Sequence, residues 1–179
     1  MTDDQAHYPI PEPSAAAFAG AVEASDPPAD LIETEDSREL IASVGYSTLL
    51  KAVGELGVCE GPGNTGVPWH RYVQTFEPNR GPEPWCAYFV SWSYLQATRR
   101  TPPWRYKGAV ESVREWAAGA GALVQRPVQG DMFGYGGEHM GLVRGILPDG
   151  FWSVEGNTSS GCVKSNRRWF SGLWFARLR

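Results

Sequence analysis

The N-terminal third of the chain shows one apolar pattern with helical spacing. It predicts a helix over 40–56, which Ser37 can cap and Gly57 can end. Residues 60–84 are rich in Gly, Pro and Asn, so they exclude a long regular element apart from a short helical turn within 70–76. A loop of this length usually has a function, and we expect it to form one wall of a cleft.

A second apolar run begins at Cys86, directly after Pro82 and Pro84, and continues without Pro or Gly until Pro102. Because each proline holds the residue before it in an extended conformation, the run predicts a helix with Cys86 in its first turn. A third set of apolar positions with helical spacing predicts a helix within 109–119.

Beyond Pro127 the apolar spacing changes to short runs rich in β-forming residues. These runs predict an antiparallel meander. The fold class is therefore α+β, with N-terminal helices packed on an antiparallel sheet. The turn residues that separate the runs are Gly136-Gly137, Pro148-Asp149-Gly150 and Ser160-Gly161.

Charge divides the chain into two parts. Residues 1–37 hold nine of the 20 acidic residues and no Lys or Arg, so the remaining 11 acidic and 16 basic residues give residues 38–179 a net charge of +5. We expect 1–37 to be an acidic, disordered tail and 38–179 to be one domain. A basic domain suits an anionic polymer such as nucleic acid or cell wall, although an ordinary solvated surface explains this modest charge equally well.

The sequence contains no apolar run of the roughly 18 to 20 residues that a membrane-spanning helix needs. Its acidic N-terminus differs from the basic and then apolar start of a signal peptide, so we expect synthesis in the cytoplasm. Three cysteines without a close pair argue against a disulfide framework and a zinc site. A reducing compartment disfavours a disulfide between Cys59 and Cys162, but the sequence leaves that pairing open.

Cys86 is a candidate nucleophile. A thiol in the first turn of a helix lies at the positive end of the helix dipole and near unpaired N–H groups, which favour thiolate over thiol. The competing interpretation is a small buried core residue, the usual role of a free cysteine.

A thiol nucleophile also needs a base and a group that orients the base. His139 follows a Gly-Gly turn and opens an apolar strand, whereas His7 lies in the tail and His70 in the irregular loop. Glu155 and Asn157 follow one hairpin later, and either side chain can accept a hydrogen bond from the imidazole.

These residues resemble the CHAP domain, the cysteine- and histidine-dependent amidohydrolases and peptidases in the NlpC-like branch of papain-like folds. The resemblance covers about three-quarters of the chain, residues 46–179. It implies that Cys86 is the nucleophile, His139 the base and Glu155 the orienting residue, with Asn157 in support. The matching segments, in the family's order, are Trp85-Cys86-Ala87-x-Phe89-Val90-Ser91-Trp92, Pro127-x-x-Gly130-Asp131, His139-x-Gly141-x-Val143 and Glu155-Gly156-Asn157.

Some members of this group bind calcium through aspartates before the cysteine, but this stretch offers only Glu60, Glu77 and Glu83. We therefore expect no metal and no cofactor. Aromatic side chains near the cysteine are candidate substrate-binding residues, although large aromatics more often belong to the core. The three candidates are Trp69, Trp85 and Trp104.

The resemblance implies a monomeric peptidoglycan hydrolase that cleaves an amide bond and neither binds nucleic acid nor inserts into a membrane. Without a signal peptide, a phage endolysin or a virion-associated wall hydrolase fits better than a secreted autolysin. Two alternatives stay open. One is a cytoplasmic thiol amidase acting on a small soluble amide, and the other is a non-catalytic wall-binding or virion module.

Overall fold

The computed structural model describes residues 43–179, so the expected tail over 1–37 and the expected cap at Ser37 lie outside the described residues. Within 43–179 the helices come first and the strands second, which confirms the α+β prediction. The elements are α1 Val44–Val53, a π-helical turn Trp69–Val73, α2 Cys86–Thr98, α3 Val110–Gly119, β1 Leu123–Val124, β2 Met132–Tyr135, β3 His139–Leu147, β4 Gly150–Glu155, β5 Lys164–Trp169 and β6 Leu173–Ala176.

Helix α1 is capped by Ser43, whose side-chain oxygen accepts a hydrogen bond from the backbone N–H of Tyr46 at 3.0 Å. The helix ends at Val53, and Gly54 closes it with a backbone N–H bond to the carbonyl of Leu50. The apolar pattern therefore overestimated its length. Leu56 belongs to the turn that follows and is 37% exposed.

Helix α2 is the centre of the domain. Its first six residues, Cys86 to Ser91, are all buried, so this end of the helix is surrounded on every side. It packs against α1 and β3. The helix ends at Arg99, which adopts the left-handed conformation with φ of 59°. None of the helices within 43–179 is both long and apolar enough to cross a bilayer.

The six strands form one antiparallel sheet with the order β1-β6-β2-β3-β4-β5. Strands β2 to β5 are the predicted meander, but β6 leaves it and pairs with β2 on the opposite side. The reason lies in the side chains. Strand β6 (Leu-Trp-Phe-Ala) is apolar enough for an interior position, whereas β5 (Lys-Ser-Asn-Arg-Arg-Trp) is polar and suits an edge.

The two faces of the sheet carry separate cores. One face packs against the helices through Met132, Met140, Leu142 and Val154. The other face carries a smaller cluster of Phe133, Phe151, Phe175 and Val143. The ring of Phe151 meets those of Phe133 and Phe175 edge to face, with centroid distances of 5.1 and 5.6 Å. The sheet therefore holds the ends of β3 and β4 rigidly beneath the start of α2.

Gly156 allows this close approach. A Cβ at this position would lie 2.5 Å from Cζ3 of Trp85 and 2.8 Å from Cβ of Phe89. We expect Gly156→Ala to lower the free energy of unfolding by about 1–3 kcal/mol, since the helix start must move away from the sheet. Urea denaturation measures this loss. Gly119→Ala is the control, because its Cβ meets nothing within 4 Å, and equal midpoints for the two variants would contradict the packing argument.

Candidate active site

The nucleophile candidate Cys86 is the first residue of α2, as the sequence predicts. It is 5% exposed, and its Sγ lies 3.9 Å from the backbone oxygen of Glu138, the residue before His139. As the first residue of a helix, Cys86 has a backbone N–H that finds no acceptor within the helix itself. The thiol and a free donor therefore lie together at the helix N-terminus.

His139 and Glu155 are brought together by the pairing of β3 with β4. Nε2 of His139 lies 2.8 Å from Oε2 of Glu155. The contact crosses Gly141, where a Cβ would stand 2.8 Å from Cγ of Glu155. Glycine at this position leaves room for the carboxylate to pass over the strand to the imidazole.

Glu155 is fully buried and is held by two further donors. Arg168 on β5 donates from Nε to Oε1 at 2.7 Å and from Nη2 to Oε2 at 2.5 Å, so the pair is bidentate. The hydroxyl of Ser153 donates to Oε1 at 2.5 Å. Burial alone would raise the pKa of Glu155, but the hydrogen bonds from Arg168 and His139 outweigh burial and lower the pKa to about 2.

The pKa of His139 is raised, whereas that of Glu155 is lowered. Burial alone would lower the pKa of His139, but hydrogen bonds to Cys86 and Glu155 outweigh burial and raise the pKa to about 9. The raised pKa favours the protonated imidazole at neutral pH. Since Nε2 is bonded to Glu155, Nδ1 is the nitrogen left to exchange a proton with Cys86.

Asn157 lies near the site in a role different from the expected support of the base. Strand β4 ends at Glu155, and Asn157 turns away with φ of 54°. Its Oδ1 accepts the backbone N–H of Trp85 at 3.0 Å, and its Nδ2 lies 3.3 Å from Oε2 of Glu60 and 3.2 Å from Oδ1 of Asn64. Asn157 thus contacts the nucleophile's side of the site rather than the imidazole.

The substrate-binding expectation for two of the tryptophans is wrong. Trp85 and Trp104 are both 0% exposed. The ring of Trp85 packs on Tyr72 and Phe89, and the indole N–H of Trp104 donates to Ser91. A fully buried ring cannot contact a substrate.

Trp69 is half-buried and packs on the ring of His70, with its indole N–H bonded to the backbone oxygen of Arg80. Its role in substrate binding stays a prediction.

The cysteine pairing that the sequence left open is present. Cys59 and Cys162 form a disulfide across 103 residues, contrary to the expectation for a reducing compartment. Two segments distant in the chain lie side by side there, with backbone bonds from Glu60 N to Gly161 O and from Val163 N to Val58 O, each 2.8 Å. The loop expected to wall the cleft is thereby fixed to the segment that follows Asn157.

The sequence pattern does not single out Arg168 or Ser153, and it presents Glu60 only as one of the carboxylates before Cys86. The available signal for Arg168 was indirect, since a buried carboxylate requires a cation and residues 167–168 supply two in the polar run after Cys162. Within residues 43–179 no group of three or more His, Cys, Asp or Glu side chains is placed to hold a metal ion. The metal-free site remains a prediction that an activity assay in chelator would check.

No family model matches the sequence, and no curated protein matches it significantly. Among solved structures, the chain is similar to RipB from Mycobacterium tuberculosis, a peptidoglycan hydrolase, at 17% identity and a TM-score of 0.50, covering 91% of this chain and 78% of RipB. It is also similar to RipD from the same organism, described as a non-catalytic NlpC/p60 domain protein adapted to peptidoglycan binding, at 13% identity and a TM-score of 0.48, covering 76% of this chain and 98% of RipD.

At these identities the likeness concerns the fold alone. The chain shares the α+β fold of RipB, with helices packed on an antiparallel sheet, which is the fold class that the sequence predicts.

The Arg168 pair gives a test of the site's electrostatics. We expect Arg168→Met to lower the free energy of unfolding at pH 7 by about 3–5 kcal/mol, because it leaves a buried carboxylate without its cation. Arg168→Lys should cost less, since it keeps the charge but loses the bidentate geometry. Urea denaturation at several pH values measures both variants.

The pH dependence has a defined direction. The lowered pKa of Glu155 means that its ionised form stabilises the fold above pH 4.5 and that this contribution is lost as the pH falls toward about 2. The difference between wild type and Arg168→Met should therefore shrink in acid. Arg167→Met is the matched control, because Arg167 pairs with Asp149 in solvent and should cost no more than about 1 kcal/mol. Equal losses for both variants would contradict this account.

Proposed function

We propose that the protein is a peptidoglycan hydrolase that cleaves an amide bond through Cys86, His139 and Glu155. The observation that carries the proposal is a buried thiol at a helix N-terminus that contacts the backbone of Glu138, the residue before His139, together with a His139 imidazole whose Nε2 lies 2.8 Å from a buried carboxylate. This is the arrangement that thiol-dependent acyl transfer requires.

The reaction proceeds in two halves. In the first, the Cys86 thiolate attacks the amide carbonyl carbon, a C–S bond forms, and the backbone N–H of Cys86 donates to the developing oxyanion. His139 gives its proton to the leaving nitrogen as the C–N bond breaks, which leaves a thioester. In the second half, His139 takes a proton from water, the hydroxyl adds to the thioester carbonyl, and breakage of the C–S bond releases the acid and restores the thiolate.

Glu155 supports both halves of the reaction. Its carboxylate orients the ring through Nε2 and stabilises the imidazolium. Arg168 and Ser153 hold the carboxylate ionised and in place without touching the imidazole themselves. Loss of the carboxylate charge should therefore reduce the rate less than loss of the imidazole.

Peptidoglycan is proposed as the substrate for two reasons. The fold is similar to that of RipB, which is a peptidoglycan hydrolase, and the motif order resembles that of CHAP domains. The bond belongs to the stem peptide, the cross-bridge or the N-acetylmuramoyl-L-alanine linkage. A CHAP-type phage endolysin or virion-associated enzyme acting as a monomer is our finer proposal.

The disulfide favours action outside the cytoplasm. A Cys59–Cys162 disulfide persists in an oxidising environment and not against cytoplasmic thiol reductants. It therefore supports action at the cell wall after release over the alternative of a cytoplasmic amidase. The non-catalytic alternative is disfavoured because nucleophile, base and orienting carboxylate are all present. Cys86 contacts the residue before His139, and His139 contacts Glu155.

Digestion of purified sacculi tests the proposal, with the products identified by mass spectrometry. We expect new amine and carboxyl ends from one amide bond, and no product from Cys86→Ala, whose loss of a covalent nucleophile costs several orders of magnitude. His139→Ala should be about as damaging and Glu155→Gln less so. His70→Ala is the control, because His70 is exposed and contacts Gln74.

Two outcomes would overturn the proposal. One is Cys86→Ala activity within about tenfold of wild type, which is too small a loss for a covalent nucleophile. The other is a folded wild-type protein that releases nothing from sacculi of several wall types.

A further inference from the structure

Trp85, the residue before the nucleophile, has both of its N–H groups held by one polar network. The backbone N–H donates to Oδ1 of Asn157 at 3.0 Å, and the indole N–H donates to Oε2 of Glu60 at 2.5 Å. Nδ2 of Asn157 also reaches that oxygen of Glu60, at 3.3 Å. Glu60 and Asn157 therefore act as one clamp on Trp85, and we call these three residues the Trp85 clamp.

The clamp fixes the position of the nucleophile through the chain. Trp85 is fully buried, and its backbone oxygen accepts the first bond of α2, from Phe89 N at 2.8 Å. Any rotation of Trp85 therefore moves Cys86, which follows it directly. Displacement of a reacting atom by about 1 Å can cost 10²-fold in rate.

Glu60 is not part of a helix or strand that would fix it by itself. It lies in the irregular segment between α1 and the π-helical turn, directly after Cys59. The Cys59–Cys162 disulfide and the bond from Glu60 N to Gly161 O attach this segment to the one that follows Asn157. The disulfide thus connects the two sides of the Trp85 clamp.

We propose that Glu60 is a positioning residue for Cys86 and that the Cys59–Cys162 disulfide holds Glu60 in place, so that the efficiency of the site depends on the oxidised state of this pair. The activity part of this inference rests on the proposed function. A dithiol such as dithiothreitol breaks the S–S bond by two-electron reduction, giving two thiols and a cyclic disulfide of the reagent. Cys59 is exposed, so the reagent has access to the bond.

The experiment compares three variants of the full-length protein. One carries Glu60→Ala, the second carries both Cys59→Ser and Cys162→Ser, and the third carries all three substitutions. The first readout is the initial rate on a soluble muropeptide, so that kcat and KM separate. We expect Glu60→Ala to lower kcat about 10- to 100-fold. Glu60→Gln should restore most of the rate, since an amide oxygen still accepts from the indole. Glu115→Ala is the matched control, because Glu115 is exposed on α3.

The effects of removing the disulfide and of removing the Glu60 side chain on kcat should not be independent. Removing both cysteines should lower kcat by a similar factor, and the combined variant should lose no more than about twofold beyond either change alone. Treating wild type with dithiothreitol should reproduce the loss, and reoxidation should reverse it. Circular dichroism below the unfolding midpoint of each variant confirms that folded proteins are compared.

A second readout needs no hydrolysis. Cys86 is the one cysteine outside the disulfide, so iodoacetamide reports on it alone. The ratio of its alkylation rate at pH 6 to that at pH 9 measures the thiolate–imidazolium pair independently of access to the thiol. We expect Glu60→Ala to lower this ratio at least tenfold and Glu115→Ala to leave it unchanged.

The two readouts separate the two proposals. If wild type cleaves no muropeptide but the alkylation ratio falls as described, the proposed function fails and the positioning role stands. The positioning role itself is overturned if Glu60→Ala retains kcat and the alkylation ratio within twofold of wild type. It is also overturned if the losses from Glu60→Ala and from the cysteine changes multiply as independent effects.

Discussion

A carboxylate removed from water must meet enough donors to offset its lost hydration, and Glu155 meets three. Each donor comes from a different position in the sheet: His139 at the start of β3, Ser153 on β4 itself and Arg168 on the edge strand β5. A single buried charge thus fixes three neighbouring strands relative to one another. It also requires glycine at position 141, because a side chain there would block the path of Glu155 to the imidazole.

The segment Glu155-Gly156-Asn157 contacts both the base His139 and the residue before the nucleophile Cys86. Glu155 holds the base, and Asn157 holds the residue before the nucleophile. Gly156, between them, lets the sheet approach the start of α2 closely enough for both contacts to form. The nucleophile Cys86 and the base His139 lie on different elements, α2 and β3, yet both are positioned by three consecutive residues. This arrangement explains why a segment of only three residues is part of the motif that identifies the site.

The sequence predicted those features that depend on apolar periodicity or on the order of reactive residues. The helix that begins at Cys86 and the meander from β2 to β5 follow from such patterns. The residues alone left the partner of His139 open between Glu155 and Asn157, and the resemblance to CHAP domains implied Glu155. The placement of β6 next to β2 did not follow, since it depends on which strand is apolar enough for an interior position. The apolar pattern also extended α1 to Leu56, because periodicity alone does not mark where a capping glycine ends a helix.

The features that the sequence did not predict arise from long-range pairing. Arg168 lies in a polar strand whose alternation says nothing about which side chain reaches Glu155. The disulfide joins cysteines 103 residues apart, and only the folded loops bring them together. Trp85 and Trp104 were candidate substrate-binding residues, but both rings are fully buried, because burial of a ring depends on tertiary packing. Asn157 does not contact the imidazole, because β4 ends two residues earlier and the backbone of Asn157 turns away.

The central claim is that Cys86 forms a covalent bond to the acyl group of its substrate. Acid quenching of wild type during turnover of a muropeptide, followed by mass spectrometry of the digested protein, tests this claim directly. The account predicts an acyl adduct on the peptide that contains Cys86, released by hydroxylamine as expected of a thioester, and accumulating when Glu155→Gln slows its hydrolysis. Turnover without any adduct on Cys86, or an adduct on another residue, would contradict the account.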